Sequence, residues 1–209
     1  MRFAGRSGPY GSERDMPTRI LLEGRPGVGK TTAVRRLAAL LGRLPRTSSE
    51  GTLTVTGFTT EEIRHGGSRV GFALETLSGR RAVLSHVDFP GPPQVGRYGV
   101  DLGVMERLAL PSLKPASPSP ATGPLVLIDE LGQMELACPA FRDAVRSLFE
   151  SDVDIVATVH VRGHPLTDAL KQRADIEVIH ITRANRDVLP EELSARLERR
   201  RSRPGSRNI

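Results

Sequence analysis

The chain has 209 residues, enough for one domain with a complete central sheet and flanking helices. It has no apolar run of membrane-spanning length and no apolar core of a secretory signal, and its single cysteine, Cys138, excludes an internal disulfide framework. The formal net charge is +6, but acids and bases are equal in number between residues 18 and 193, so the excess lies in the two tails. We therefore expect a cytoplasmic protein whose body does not bind nucleic acid, although its Arg-rich tail could contact one weakly.

The first informative stretch follows a tail at residues 1–17, predicted to be disordered, and a short apolar strand predicted at residues 20–22. Its sequence, GRPGVGKT, matches the phosphate-loop pattern G-x-x-x-x-G-K-[ST] at every fixed position and precedes an amphipathic helix that ends near Gly42. A strand, a glycine-rich turn and a helix N-terminus direct backbone N–H groups at an anion. The turn therefore predicts a bound nucleoside triphosphate, with Lys30 at the β- and γ-phosphates and Thr31 on Mg²⁺. The residues predicted to contact the nucleotide are Gly24, Arg25, Pro26, Gly27, Val28, Gly29, Lys30, Thr31 and Thr32.

The segment after this helix is predicted to be mainly β. Residues 53–58 alternate threonine with apolar side chains, and residues 70–75 and 82–87 predict an antiparallel hairpin in an otherwise parallel plan. The chain before this hairpin is rich in glycine and is predicted to be mobile. A short helix is predicted to end near Leu110, and the proline-rich residues 111–124 predict a flexible loop.

Residues 125–128 are an apolar run that predicts a strand buried on both faces, and Asp129 and Glu130 follow it directly. A carboxylate at the end of such a strand, together with an earlier phosphate loop, is typical of a Walker B element, with Asp129 opposite Thr31 around Mg²⁺. Glu130 could activate a water for attack on the γ-phosphate, so Glu130 and Lys30 are the predicted catalytic residues. The alternatives are a strand-end turn residue for Asp129 and a capping residue for Glu130.

Strands and helices alternate through the second half, which predicts a three-layer α/β domain with a mainly parallel sheet at residues 18–193. An Arg-rich tail is predicted at residues 194–209. The predicted elements are a helix from Pro139, a strand at 153–161, a short helix at 166–172, a strand at 176–181, and a mostly helical segment at 185–201.

An arginine at the γ-phosphate can raise the rate of hydrolysis about 10³–10⁵-fold. Arg64 and Arg69, in the glycine-rich segment, are the first candidates for this contact, and Arg173 is the next. Each of the three could also be a surface charge. Thr158 and His160 follow the Walker B element by one strand and could contact the γ-phosphate.

Motifs that run in order from about residue 18 to residue 193 resemble those of one family. They are GRPGVGKTT (24–32), Gly57-Phe58, Glu62-Ile63-Arg64, Gly71-Phe72, Tyr98-Gly99-Val100, DELGQMEL (129–136), and Thr182 followed by Asn185-Arg186-Asp187. In this combination the chain resembles the THEP-type nucleoside-triphosphatases, also called cancer-related NTPases. The resemblance implies a RecA-like core, Mg²⁺ as cofactor, and hydrolysis of ATP, GTP, CTP and UTP with little base selectivity. Two features depart from the family pattern: Gln133 stands where it has lysine, and the proline-rich segment is longer.

The resemblance also assigns further residues to the nucleotide site. Asn185 and Arg186 lie where such a fold could contact the base or ribose, and a helix-capping asparagine is the alternative. The residues of the second half that would line the site are Leu125, Val126, Leu127, Ile128, Asp129, Glu130, Leu131 and Gly132.

Two other functions share this loop and fold. A phosphotransferase of nucleotide-kinase type would need an Arg-rich lid, part of which residues 57–72 could supply. A nucleotide-dependent binding module would use the Arg-rich tail to contact RNA or a protein. We expect a monomeric nucleoside-triphosphatase as the first of the three.

Overall fold

The structure is a computed structural model that describes residues 16–42, 54–114 and 124–201. Most of the two predicted tails and of the proline-rich loop lies outside these residues. The strands are β1 (Arg19–Gly24), β2 (Val55–His65), β3 (Ser68–Thr76), β4 (Arg81–His86), β5 (Gln94–Val95), β6 (Tyr98–Val100), β7 (Leu125–Leu131), β8 (Asp154–His160) and β9 (Glu177–His180). The α-helices are α1 (Lys30–Gly42), α2 (Leu102–Val104), α3 (Leu110–Ser112), α4 (Pro139–Glu150), α5 (Pro165–Lys171) and α6 (Leu189–Arg201). A π-helical turn at Met105–Ala109 joins α2 to α3, and a 3₁₀ turn at Glu135–Ala137 precedes α4.

The strands form one mixed sheet in the order β5-β6-β4-β3-β2-β7-β8-β1-β9. Strands β2, β7, β8, β1 and β9 are parallel, and β3, β4, β6 and β5 extend the sheet with antiparallel pairings. The predicted α/β class, with a mainly parallel core and an antiparallel addition, is confirmed. Strand β8 lies between β1 and β7, so one strand separates the phosphate loop from the Walker B strand.

The antiparallel part is larger than the predicted hairpin, because β2 continues to His65 and pairs with β3 from Phe58 onward. Only Gly66 and Gly67 connect the two strands, with φ angles of +55° and +77° that side-chain-bearing residues rarely adopt. The segment that carries Arg64 and Arg69 is therefore a hairpin of the central sheet, with a register shift between Ile63 and Arg64, in place of the predicted mobile loop.

Helices pack against both faces of the sheet. Successive side chains of a strand point to opposite faces, and in the central strands the side chains on both faces are apolar. Ile20 and Leu22 of β1 pack in a cluster with α1 and α6, whereas Leu21 packs in the cluster that contains α4 and α5. The helices thus form the two outer layers of a three-layer domain. Truncation of one such buried leucine to alanine costs about 2–5 kcal/mol, so the strand ends that carry the site rest on a rigid base.

The domain continues past the boundary at residue 193 that the sequence predicted. Helix α6 extends to Arg201, and Leu193 and Leu197 are 3% and 1% exposed in the cluster with α1. Within residues 16–42, 54–114 and 124–201, no helix has both the length and the apolar character that a membrane span requires.

Candidate active site

The phosphate loop is built at the carboxyl end of β1. Gly27 and Gly29 have φ angles of +72° and +112°, which favour glycine, and α1 begins directly at Lys30. A Cβ on Gly24 would stand 2.5 Å from Cγ2 of Ile181, so only glycine allows β1 to pass this close to its neighbour. The backbone N–H groups of this turn and the positive end of α1 form a site for an anion.

Lys30 connects the phosphate loop to the Walker B strand. Its side chain is 6% exposed, its Nζ donates to the carbonyl oxygen of Gly24 at 3.0 Å, and it lies 3.2 Å from Oε2 of Glu130. A buried ammonium needs such partners, because its isolated charge would be costly to desolvate. The structure thus brings together the two residues that the sequence predicted to be catalytic.

Asp129 is completely buried beneath this pair. Its Oδ1 accepts a hydrogen bond from Oγ1 of Thr158 at 2.7 Å, and its Oδ2 has no hydrogen-bond partner among the described residues. Burial raises the pKa of Asp129, and the nearby hydroxyls of Thr158 and Thr31 oppose this shift. Thr158 therefore contacts the Walker B carboxylate, a role that sequence reasoning did not assign to it.

The unpaired oxygen of Asp129 and the hydroxyl of Thr31 fit a hard divalent cation, which prefers oxygen ligands and would give the buried carboxylate its missing partner. No group of three or more His, Cys, Asp and Glu side chains suited to a metal occurs within residues 16–42, 54–114 and 124–201. A cation here would therefore rely on water and on substrate phosphates for its remaining ligands, as Mg²⁺ commonly does.

Glu135 is a third acid of the site, and sequence reasoning missed it. Its side chain is 5% exposed, and burial, followed by the charge of Glu130, raises its pKa to about 8. A Cβ on Gly132 would stand 2.8 Å from Oε2 of Glu135 and 3.2 Å from Oε1 of Glu130, so glycine leaves room for both carboxyl groups. The available signal was the position of Glu135 within DELGQMEL, but the motif does not show which way the side chain points.

We expect Glu135→Gln to change the pH dependence of stability. In the unfolded chain Glu135 ionises near its ordinary pKa of 4.5, whereas in the folded protein it stays protonated up to about pH 8. Its contribution to stability is therefore complete below about pH 4.5 and is lost as the pH rises to about 8. Glutamine cannot ionise, so the Tm of the variant should exceed that of the wild type by about 5 °C at pH 9 and by little at pH 5.

Thermal unfolding between pH 5 and 9 measures this difference, with exposed Glu150 changed to glutamine as the matched control. A Tm difference that does not vary with pH would contradict the burial of a protonated Glu135.

Lys30, Thr31, Glu130 and Glu135 line one cavity of about 570 Å³ that extends from the phosphate loop to the β2–β3 hairpin, whereas Asp129 is buried and does not line it. Arg69 and Phe72 line its far wall. The guanidinium of Arg69 lies 5.0 Å from the ring centre of Phe72 and 5.8 Å from that of Tyr98, and its Nη1 donates to Glu62 at 2.8 Å. Arg69 therefore reaches the cavity, but its charge is already paired with a carboxylate.

Known proteins share this arrangement of chain and motifs. A family model described as NTPase matches residues 19–194. Nucleoside-triphosphatase THEP1 of Thermotoga petrophila is 38% identical over 175 residues, which are 84% of this chain and 90% of that protein. The human cancer-related nucleoside-triphosphatase is 41% identical over 184 residues, 83% of this chain and 93% of that protein. This chain belongs to the THEP-type NTPase family.

Solved structures of this NTPase family have the same fold. The crystal structure of THEP1 from Aquifex aeolicus matches with a TM-score of 0.75 and 35% identity, covering 87% of this chain and 99% of that one. The solution structure of the human cancer-related nucleoside triphosphatase matches with a TM-score of 0.71 and 37% identity, covering 90% and 100%. The family that the motifs predicted is confirmed.

The structure does not bring every predicted residue of this NTPase to the cavity. Residues 125–128 are 0% exposed within the two core clusters, and none of them lines the cavity. This part of the prediction is corrected, because side chains of a strand buried on both faces point to the helices and not to its end. The Walker B residues at the cavity wall are Glu130, Leu131, Gly132 and Gln133.

Among the loop residues, Gly24, Arg25 and Val28 do not line the cavity either. The carbonyl groups of Gly24 and Val28 accept hydrogen bonds from Lys30 and Arg186, respectively. Gly24 and Val28 therefore stabilise the conformation of the loop without lining the cavity. The loop residues that do line the cavity are Pro26, Gly27, Gly29, Lys30, Thr31 and Thr32.

Two of the predicted arginines of this NTPase lie away from the cavity. Arg64 is exposed at the tip of the hairpin, where it contacts Glu62 and the carbonyl of Gly67. Arg173 donates twice to Asp175, at 2.9 and 2.8 Å, and the same carboxylate binds Arg19, the first residue of β1. The phosphate loop follows the last residue of β1, whereas Arg173 lies near its first residue. Arg173 is therefore at the opposite end of this strand and cannot contact the γ-phosphate.

Asn185 and Arg186 lie at the β9 side of the phosphate loop. Oδ1 of Asn185 accepts from the backbone N–H of Thr182 at 2.8 Å, and its Nδ2 donates to the carbonyl of His180 at 2.9 Å, so its amide orders the turn after β9. Arg186 donates to the carbonyl oxygen of Val28 at 3.3 Å. Arg186 therefore packs on the loop. The amide of Asn185 bonds to residues that precede it and not to the N–H groups of α6, which begins at Leu189, so it is not the helix cap that was the alternative for it.

Proposed function

We propose that this protein hydrolyses nucleoside triphosphates to nucleoside diphosphate and phosphate, with Mg²⁺ as the divalent cation. The observation that carries the proposal is the 3.2 Å contact between Lys30 and Glu130, which joins the phosphate loop to the end of the Walker B strand at the wall of one cavity. A phosphate loop by itself binds a triphosphate, whereas a carboxylate at its lysine adds a group that can accept a proton from water.

The residues divide the reaction between them. The loop N–H groups and Lys30 bind the β- and γ-phosphates, and Thr31 and Asp129 would hold the cation, which neutralises charge on the phosphates when bound. Glu130 orients a water and accepts its proton as the water oxygen bonds to the γ-phosphorus. The bond from this phosphorus to the β–γ bridging oxygen breaks, and its electron pair stays on the diphosphate.

We infer broad base specificity, with ATP, GTP, CTP and UTP all accepted. A base is read by side chains whose donors and acceptors are free, as an asparagine amide can be. The amide of Asn185 is bound to the backbone of its own turn, and Arg186 donates to the carbonyl oxygen of Val28, so neither side chain is set to read a particular base.

We further infer that the body of the protein does not bind nucleic acid and that it acts as a monomer in the cytoplasm. Arg35 of α1 and Arg81 of β4 both pair with Glu61, and Arg69 of β3 pairs with Glu62. Acids and bases are equal in number between residues 18 and 193, so the body has no net charge with which to attract a phosphodiester backbone.

The test is phosphate release from each of the four triphosphates, with Mg²⁺, with EDTA, and with or without nucleoside monophosphates. We expect release that needs no acceptor, varies by less than about tenfold among the bases, stops with EDTA and resumes with added Mg²⁺. Transfer of phosphate to a monophosphate, without release in its absence, would replace hydrolysis with the kinase reaction. Release that persists in EDTA would contradict the role of the cation.

A further inference from the structure

The loop between β8 and α5 (residues 161–164) begins between the two halves of the site. In the parallel pairing, His160 lies beside Gly24 of β1, and Val159 lies beside Leu131 of β7. The chain therefore leaves the sheet directly above the phosphate loop and the Walker B acids. Arg162, Gly163 and His164 of this loop line the same cavity as Lys30 and Glu130.

Two other arginines of the cavity have carboxylate partners. Arg35 lies 3.4 Å from Glu61 and 3.8 Å from Glu75. Arg69 lies 2.8 Å from Glu62 and also donates to the hydroxyl of Tyr98 at 3.0 Å. Either guanidinium would have to give up charge-assisted hydrogen bonds before it could bind a phosphate.

Arg162 differs from both. Its side chain is exposed to the cavity and forms no ion pair or hydrogen bond with any residue of the segments 16–42, 54–114 and 124–201. An unpaired guanidinium keeps its full charge and all five donors for a planar, bidentate contact with phosphate oxygens. Among the arginines that line the cavity, Arg162 is thus the one that can bind a phosphate without breaking a contact with another described residue.

The backbone that carries Arg162 is fixed although the side chain is free. Its N–H donates to Nδ1 of His160 at 2.8 Å, and the N–H of Leu166 donates to Nδ1 of His164 at 3.2 Å. Burial lowers the pKa of His160, which favours the neutral imidazole that accepts this bond. The two histidines therefore anchor the loop at both ends and leave the guanidinium to move within the cavity.

We propose that Arg162 is a catalytic residue that contacts the γ-phosphate and neutralises the charge that develops as its bond to the diphosphate breaks. His160 is the positioning residue that holds the backbone of Arg162. Arg162 thus has the role that the sequence analysis suggested for other arginines. It forms no covalent bond and transfers no proton. The proposal rests on the proposed hydrolysis of nucleoside triphosphates.

The test compares Arg162→Ala and Arg162→Lys in ATP hydrolysis with Mg²⁺, with Arg80→Ala, in the exposed turn between β3 and β4, as the matched control. We expect Arg162→Ala to lower kcat about 10³-fold with KM changed less than about threefold, and Arg162→Lys to recover part of the loss. Guanidinium added to the solution should restore part of the activity of Arg162→Ala.

Two other outcomes would contradict the role of Arg162 or the proposed function. If Arg162→Ala keeps a kcat within about threefold of the wild type, the proposal is wrong, and a large loss in Arg69→Ala would transfer the role to Arg69. If the wild type releases no phosphate, the proposed function fails instead, and binding of a non-hydrolysable ATP analogue would still report on the loop.

The positioning role of His160 has its own test. His160→Ala should lower kcat in the wild type and have no further effect in Arg162→Ala, because it acts through the same guanidinium. His160→Asn, whose side-chain oxygen can accept the N–H of the residue two positions on, should recover activity. Equal losses from His160→Ala in both backgrounds would show that the imidazole acts independently of Arg162.

Discussion

Glu130→Gln is expected to retain nucleotide binding and to lose hydrolysis, with kcat reduced about 10²–10⁴-fold. Glutamine keeps the shape and the contact with Lys30, which lies 3.2 Å from Oε2, but it cannot accept a proton from water. Single-turnover phosphate release with excess enzyme measures the chemical step, and binding of a fluorescent ATP analogue measures affinity separately. Unchanged affinity together with lost turnover is the signature of a group that acts in the transition state.

The control for this substitution is Glu150→Gln, an exposed glutamate at the end of α4. It should hydrolyse ATP at the rate of the wild type. If Glu130→Gln also turns over normally, the proton acceptor lies elsewhere, and Glu135 cannot replace it while it is protonated, below about pH 8. Loss of affinity in Glu130→Gln would instead assign Glu130 to substrate binding.

Lys30→Ala is expected to weaken triphosphate binding at least about 100-fold, because the β- and γ-phosphates lose a buried, preorganised cation. It should also lower the stability of the free protein by about 2 kcal/mol, because it leaves Glu130 without its partner beside two other acids. Glu130 is one-quarter exposed, which keeps this cost below that of a fully buried pair. Equilibrium binding and urea unfolding measure the two effects.

A double variant separates these roles of Lys30. Lys30→Ala combined with Glu130→Gln removes both charges, so it should regain most of the lost stability and none of the lost affinity. Lys114→Ala, at an exposed lysine after α3, is the matched control and should change neither quantity. Triphosphate affinity that survives in Lys30→Ala would show that the loop binds through its N–H groups alone.

The parts of the protein that could be predicted from sequence are those whose chemistry is local. The loop from Gly24 to Thr31 specifies its own backbone, because two of its glycines have positive φ angles and the next residues begin a helix. The run at residues 125–128 identifies a buried strand, and parallel strands bring their carboxyl ends to one edge. These relations between neighbours in sequence predicted the fold class and a site shared by the phosphate loop and the Walker B acids, and the resemblance of the motifs indicated the family.

The remaining assignments depended on contacts between residues far apart in the chain. Arg69, Arg162 and Arg173 look alike in the sequence. Only the fold pairs Arg69 with Glu62, places Arg173 at the opposite end of β1 and leaves Arg162 without a partner among the residues that the structure describes. Likewise, nothing in the sequence indicates that Glu135 is buried. Its burial depends on the 3₁₀ turn, which places its side chain close enough to Glu130 for that charge to raise its pKa.

The sequence by itself thus determined that a triphosphate is bound and where two acids approach it, because a glycine-rich loop and a strand end are defined by adjacent residues. Only the tertiary structure decided which arginine lacks a partner among the described residues and which acids have a raised pKa. The charge that a side chain can offer depends on its partners and on its burial, and both are properties of the assembled sheet.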